Sequence, residues 1–287
     1  MSGDTDTLRI GVPSKGRLEP IVADLLNQAG LSFRRQNRAL FTKVRDMPVD
    51  LVFLRTDDIP VLCAEGAIDL GVTGSDLVAE AGVDLTTRLA LGVGGCRLAL
   101  CAPDHRPIES IHSLDGCRVA TSFPEITKEH FAKQDLNVHL VELSGSVEVM
   151  IQLGVADAIV DLVETGSTLA ANKLRIVEEI GKYETVLIQN QQKRLNGLAD
   201  RIVRRLEGVV IARGWSLLEY NIPREQLKDA EQVAPGFQSP TVNPLEDPEW
   251  CAVRVMVPRG KVQDIMEELE QLGATAILET DIHNCRL

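Results

Sequence analysis

Aromatic residues are scarce: 2 Trp, 2 Tyr and 6 Phe make up only 3% of the 287 residues. Stacking platforms for single-stranded nucleic acid need such side chains, so that class of binding is poorly supplied. Positive charge is also short, with 30 Lys and Arg against 42 Asp and Glu, a net −12. A nucleic-acid protein carries the opposite, basic footprint. The six cysteines (63, 96, 101, 117, 251 and 285) form no CxxC pair and no metal-ligand spacing with the five histidines. That pattern predicts reduced, mostly buried thiols in a cytoplasmic protein. No apolar run is long enough to span a bilayer, and the opening MSGDTDTLRI is too polar for a signal peptide. Neither a GxxxxGKS/T loop nor a GxGxxG fingerprint occurs, which disfavours P-loop and dinucleotide chemistry. No histidine sits near a Ser/Asp or Cys/Asp pair that would make a hydrolase triad.

What is present is alternation. Short apolar runs at LRIGVP (8–13), VDLVFL (49–54), AIDLGVTG (67–74), CRVATS (117–122) and VHLVEL (138–143) are separated by helical patterns. This order predicts α/β architecture with largely parallel sheets. The stretch SGSVEVMIQLG reads as a helix capped by Ser144 or Ser146, with Glu148 one turn inside. One internal echo stands out: EGAIDLGVTGSDL (65–77) and LGVADAIVDLVETGSTL (153–169) share a Gly, an Asp three residues later, an apolar strand and then Thr-Gly-Ser. Two lobes built alike predict a bilobal protein with a cleft, the chain crossing at Gly92, Gly94 and Gly95. The expected division is 1–92 with about 190–213 as one lobe, 93–189 as the other, and 214–287 as a third domain. That last part reads βαββαβ, the ferredoxin-like plan of small regulatory domains.

The strongest candidate site is DAIVDLVETGSTL (157–169). A turn between a buried strand and a helix gathers backbone N–H groups into one concavity. Gly166 admits an unusual backbone conformation, and Thr165, Ser167 and Thr168 add hydroxyl donors. Such a turn fits a monophosphate. Asp157 and Asp161 precede it at an even spacing, so both face one side of the sheet. Carboxylates ahead of a phosphate cradle suit ribose hydroxyls, or Mg²⁺ beside a pyrophosphate. Lys15 and Arg17 stand at the end of the first strand, where a parallel sheet opens its ligand crevice. Arg55 follows another strand end, with Asp57 and Asp58 beside it. TGSD (73–76) offers a second amide-rich turn at Gly74, with Asp76 available to a ribose or an adenine amine.

The run from Glu148 to Leu169, with VPSKGRL, DIPVLCAEGAIDLGVTGSDLV and RVATSFPEIT, resembles the ATP phosphoribosyltransferase family of histidine biosynthesis. PGFQSPTVNPL and GATAIL are similar to the C-terminal domain of that family's long form. The resemblance covers almost the whole chain and implies a periplasmic-binding-protein-like catalytic part. It implies transfer of phosphoribosyl from phosphoribosyl pyrophosphate to N1 of ATP, assisted by Mg²⁺ held mainly by the pyrophosphate, with Asp157 or Asp161 as candidate ligands. Catalytic Asp157, Asp161, Lys15 and Arg17 follow from it. So do substrate contacts at Glu148, Glu164, Thr165, Gly166, Ser167, Thr168, Leu169, Arg55, Gly74 and Asp76. It further implies histidine as feedback inhibitor, contacted by Asn221, Phe237, Ser239, Thr241 and Ala276, and a dimer closing into a hexamer. Two rival expectations are a bilobal solute-binding protein and a non-enzymatic amino-acid sensor.

Overall fold

The computed structural model describes residues 7–36, 39–192 and 197–286. The polar opening, residues 1–6, and part of the expected return segment, 193–196, lie outside the described residues. The chain forms two compact units: one from residues up to Asp24 and Ser32–Asp200, the other from Leu25–Leu31 and Arg201 onward. Among the described residues no helix is long and apolar enough to cross a membrane.

In the first unit, Leu8, Ile10 and Val12 alternate into a core while Arg9 stays out, which makes β1 (Leu8–Pro13). After it come α1 (Leu18–Gln28), β2 (Phe41–Lys43), β3 (Val49–Leu54), α2 (Asp58–Ala64), β4 (Leu70–Gly74), α3 (Ser75–Ala81) and β5 (Leu85–Ala90). There follow β6 (Cys96–Pro103), β7 (Arg118–Thr121), α4 (Pro124–Ala132), β8 (His139–Glu142), α5 (Val149–Gln152), β9 (Ala158–Val163), α6 (Ser167–Ala171), β10 (Leu174–Tyr183) and β11 (Thr185–Asn190). Two sheets result, in the orders β2-β3-β1-β4-β11-β5 and β10-β6-β9-β7-β8. In each, three strands run parallel and their neighbours antiparallel. β6 and β11, one at each inter-lobe crossing, run against their neighbours because no crossover helix turns the chain there, and β2 folds back on β3 as an antiparallel edge. β11 belongs to the first sheet, although the sequence alone counts 185–189 with the second lobe; an apolar run does not say which sheet it will join.

The two crossings lie side by side. Leu91 N donates to Thr185 O at 2.9 Å, Thr185 N to Val93 O at 3.0 Å, and Gly92 N to the Glu184 carboxylate at 3.1 Å. A further contact joins the lobes: Glu80 of α3 accepts from the Glu125 and Ile126 amides at the start of α4, at 2.9 and 3.1 Å.

The second unit contains most of α7 (Gly197–Arg213), then β12 (Trp215–Pro223), α8 (Leu227–Val233), β13 (Thr241–Pro244), β14 (Trp250–Pro258), α9 (Val262–Gln271) and β15 (Thr275–Asp281). Its antiparallel sheet has the order β13-β14-β12-β15, the ferredoxin-like arrangement. Leu218, Tyr220, Ile222, Val253 and Val255 project from one face onto Val262, Ile265 and Leu269. The C-terminal tail returns to α7, where Cys285 N donates to Gly208 O at 2.9 Å. A Cβ on Gly208 would stand 2.6 Å from Asn284 Oδ1 and 2.8 Å from Cys285 O. Gly208→Ala should therefore displace the tail and cost about 1–2 kcal/mol, the overpacking outweighing alanine's better helix propensity. Urea unfolding and protease sensitivity of the C-terminus check this; unchanged values for both would contradict it.

Candidate active site

Strand β9 ends at Val163, and the chain turns through Glu164, Thr165 and Gly166 into α6. Gly166 sits at φ +79°, the left-handed region that favours glycine, and this closes the turn tightly. Thr165 Oγ1 and Ser167 Oγ lie 3.0 Å apart, so the two hydroxyls hold one another in place. The first amides of a helix have no intrahelical acceptor, and those of Thr168 and Leu169 find none among the described residues. With only five residues, α6 adds little dipole; what the loop can offer an oxyanion is its amides and hydroxyls. Glu148, Asp161, Leu162 and residues 163–169 line one pocket of about 270 Å³ around it.

Asp161 lies at the floor of that pocket. Burial raises its pKa above the ordinary aspartate value and the nearby Glu148 charge adds to the rise, while the Leu162 amide, at 2.8 Å, opposes it. A half-buried carboxylate in the same pocket as those N–H and O–H donors is an arrangement suited to positive charge developing beside a bound anion.

Asp157 does not join it, which corrects the pairing expected from sequence. The even spacing does put both acids on one face of β9, but four extended residues span roughly 13 Å. Asp157 stands before the strand's first residue, at the end away from the loop. There its carboxylate accepts from Arg106 Nη1 at 2.6 Å, from Arg118 Nε at 3.3 Å and from the Arg118 amide at 3.0 Å. The internal echo explains the role: Asp69, its counterpart, accepts from the Arg9 amide at 2.7 Å. Each lobe thus uses an aspartate to tie its central strand to a parallel neighbour. The Arg118 side chain foremost, with Arg106, holds the Asp157 carboxyl well below the usual carboxylate range. A carboxylate whose oxygens are taken by two arginines is a poor ligand for ribose or metal.

A second pocket, about 280 Å³, adjoins the first through Leu162. Arg17, Thr56, Asp57, Gly74, Asp76, Gly94, Cys96, Phe123 and Thr185 are among its walls. Arg17 forms an ion pair with Glu164, which ties the end of β1 to the 164–169 loop of the other lobe. Asp76 is buried, and burial raises its pKa, against the pull of its own and the Leu77 amides and of Arg17. Burial likewise pushes the Cys96 thiol up to about 11, so it is no nucleophile at neutral pH. Lys15 and Arg55 are exposed and line neither pocket; Arg55 pairs with Asp57 at 3.4 Å. Thr56, Cys96, Phe123 and Thr185 escaped the sequence reading because no spacing signals which strand ends of two different sheets will meet.

The expected effector residues are spread across the second unit. Thr241 begins β13 and Ala276 lies on β15, opposite edges of a four-strand sheet and so roughly 14 Å apart. One histidine cannot touch both within a single chain. Asn221 lies on β12 between them, Phe237 packs edge-on against Trp215 at 5.6 Å, and Ser239 is exposed in the same loop.

The family model for ATP phosphoribosyltransferase matches residues 55–208, and the model for that family's C-terminal domain matches 212–284. The chain is 63% identical to the ATP phosphoribosyltransferase of Rhodopirellula baltica over 98% of its own length and 94% of that protein. It is 40% identical to the enzyme of the same name from Saccharopolyspora erythraea, over 98% and 100% of the two chains. Among solved structures, a chain of the ATP phosphoribosyl transferase (HisG:HisZ) complex from Thermotoga maritima is 29% identical, with a TM-score of 0.62 over 71% of this chain and 98% of that one. A putative L-cystine ABC transporter from Listeria monocytogenes, 16% identical with a TM-score of 0.52 over 73% and 92%, shares the fold alone.

Proposed function

The chain belongs to the ATP phosphoribosyltransferase family, and from that premise we propose that it joins N1 of ATP to C1′ of phosphoribosyl pyrophosphate, releasing pyrophosphate, as the first step of histidine biosynthesis in the cytoplasm. The observation that carries this is the oxyanion loop at 164–169 with Asp161 half-buried beneath it in one pocket.

In this reading the 5′-phosphate rests on the amides and hydroxyls of Thr165 to Thr168. Asp161 faces the ribose, where it stabilises the positive charge that grows at C1′ as the C–O bond to pyrophosphate lengthens. Arg17, brought to the loop by Glu164, meets the departing charge, and Lys15 lends its field from the same turn. The N1 lone pair forms the new bond on the opposite face, and pyrophosphate leaves with the old bonding pair, so C1′ inverts. No side chain has to move a proton in that step. Positioning and electrostatics supply the rate, so the reaction needs no triad.

Among the described residues no three His, Cys, Asp or Glu side chains gather to hold a metal. Asp161 and Glu148 do share one pocket. One or two carboxylates suit Mg²⁺ when phosphate oxygens and water complete its octahedron, so these two residues fit the ion and Asp157 does not. Bound there, Mg²⁺ would neutralise pyrophosphate charge.

Incubation with ATP, phosphoribosyl pyrophosphate and Mg²⁺, with pyrophosphatase to draw the equilibrium, should yield phosphoribosyl-ATP. Its absence would refute the proposal. The second unit is proposed to bind histidine as feedback inhibitor and to govern a dimer–hexamer balance. Histidine should inhibit the full chain and shift its mass in light scattering; a chain indifferent on both counts would remove the regulatory reading.

A further inference from the structure

The second pocket contains two buried oxygens that invite a ligand. Thr185 is 1% exposed, and its Oγ1 has no hydrogen-bond partner among the described residues. Buried hydroxyls are rarely left so, and each case calls for an explanation. Asp76 is 5% exposed and is approached by its own and the Leu77 amides.

Register sets the two side by side. Thr185 opposes Gly74 across the antiparallel β4/β11 pair, and opposed residues project to the same face with Cβ atoms roughly 5 Å apart. Gly74 has no Cβ, and one placed there would overlap Asp76 Oδ1, so the carboxylate occupies the space next to the Thr185 hydroxyl. Gly94 clears the other side: at φ +67°, a Cβ on it would lie 2.6 Å from Thr185 Oγ1. Gly74 thus makes room for the Asp76 carboxylate and Gly94 packs closely on the Thr185 hydroxyl, and both acceptor-bearing residues line one pocket, whose other walls include Leu18, Leu77, Phe123 and Leu162. Apolar walls with paired acceptors match the edge of a heterocycle that bears an amine.

We infer that Asp76 and Thr185 hold the exocyclic 6-amino group of the ATP purine, one acceptor for each N–H, with Gly74 and Gly94 admitting the two oxygens where a Cβ would collide with them. This rests on the ATP-dependent reading above and adds a positioning and specificity-determining residue to it. The amine is bonded to the carbon next to N1, and Leu162 is common to both pockets. Holding the amine therefore points N1 toward the sugar. A 6-oxo purine offers an acceptor where Asp76 also accepts, and is disfavoured.

The test combines a protein change with a substrate change. Binding of ATP and of purine riboside triphosphate, which lacks the 6-amino group, is measured for the wild type, Thr185→Val and Thr185→Ser. Wild type should bind ATP roughly tenfold more tightly than the analogue, the scale of one to two hydrogen bonds. Thr185→Val should lose about fivefold for ATP and nothing for the analogue, and Thr185→Ser should restore the preference. The KM for phosphoribosyl pyrophosphate and the melting temperature should not fall in Thr185→Val, which removes an unpartnered buried hydroxyl. Equal loss for both nucleotides, no loss for either, or a lowered melting temperature overturns the inference. Failure of the wild type to form phosphoribosyl-ATP would instead refute the proposed reaction, so the two failures are distinguishable.

Discussion

Asp161→Asn should lower kcat by about 10²- to 10³-fold, the usual cost of removing one preorganised electrostatic group from a transition state. The variant should fold normally. Asn keeps a carbonyl for the Leu162 amide and differs from Asp by little volume, so the floor of the pocket survives. Stability should hold or rise. Burial, with Glu148 nearby, raises the Asp161 pKa. A raised carboxylate contributes stability fully below its unfolded value of about 3.9 and loses it as pH climbs through the higher folded value. At neutral pH the ionised Asp161 is therefore a burden on folding. Thermal melts at pH 5 and pH 8 should show the variant gaining on the wild type at the higher pH. On these outcomes the position would exchange stability for catalysis, as functional sites commonly do. Undiminished kcat would remove Asp161 from the mechanism.

Asp157→Asn should give the mirror image: a large loss of stability with KM for phosphoribosyl pyrophosphate unchanged in the folded fraction. Asp157 has a side chain only 17% exposed and accepts from two guanidinium groups and one amide. Weakening those charge-assisted bonds should cost about 2–3 kcal/mol, or roughly 5–10 °C in melting temperature. The pH dependence is opposite in sign to that of Asp161. The folded pKa is depressed, chiefly by Arg118, so the contribution is fully present above about pH 5 and is lost as pH falls below roughly 4. Wild type and variant should converge in acid. A variant that melts normally but turns over slowly would return Asp157 to the chemistry.

These two aspartates also show how far the sequence could be read. Alternating apolar runs place the strands of both lobes and the βαββαβ order of the last domain, because periodicity reports burial. The turn at Thr165–Thr168 was legible because glycine and hydroxyl residues after a buried strand have few other uses. Parity put Asp157 and Asp161 on one face, yet parity carries no distance along the strand. The internal echo contained the answer, since Asp69 repeats Asp157 at the same place in the other lobe and accepts there from a neighbouring strand's amide. The helix expected over 144–154 is one turn, α5, because Gly145 and Ser146 adopt positive φ (+141° and +52°) and neither Ser144 nor Ser146 caps it. Helical spacing in VEVMIQL says nothing of the backbone ahead of it. Thr185 was out of reach for a different reason. Its importance comes from Gly74, Asp76 and Gly94, which only pairing between β4 and β11 brings to its side.

The crossing between the lobes has a mechanical consequence. One strand joining two bodies leaves them free to swing and to twist. Here two strands cross together and are stitched by the amides of Leu91, Gly92 and Thr185. Twisting would shear those bonds, whereas bending leaves them intact. At the crossing itself one soft coordinate is left, like the spine of a book. Any opening about it would return Arg17 to Glu164 in the same alignment, so the cleft would need no search to reassemble its two halves.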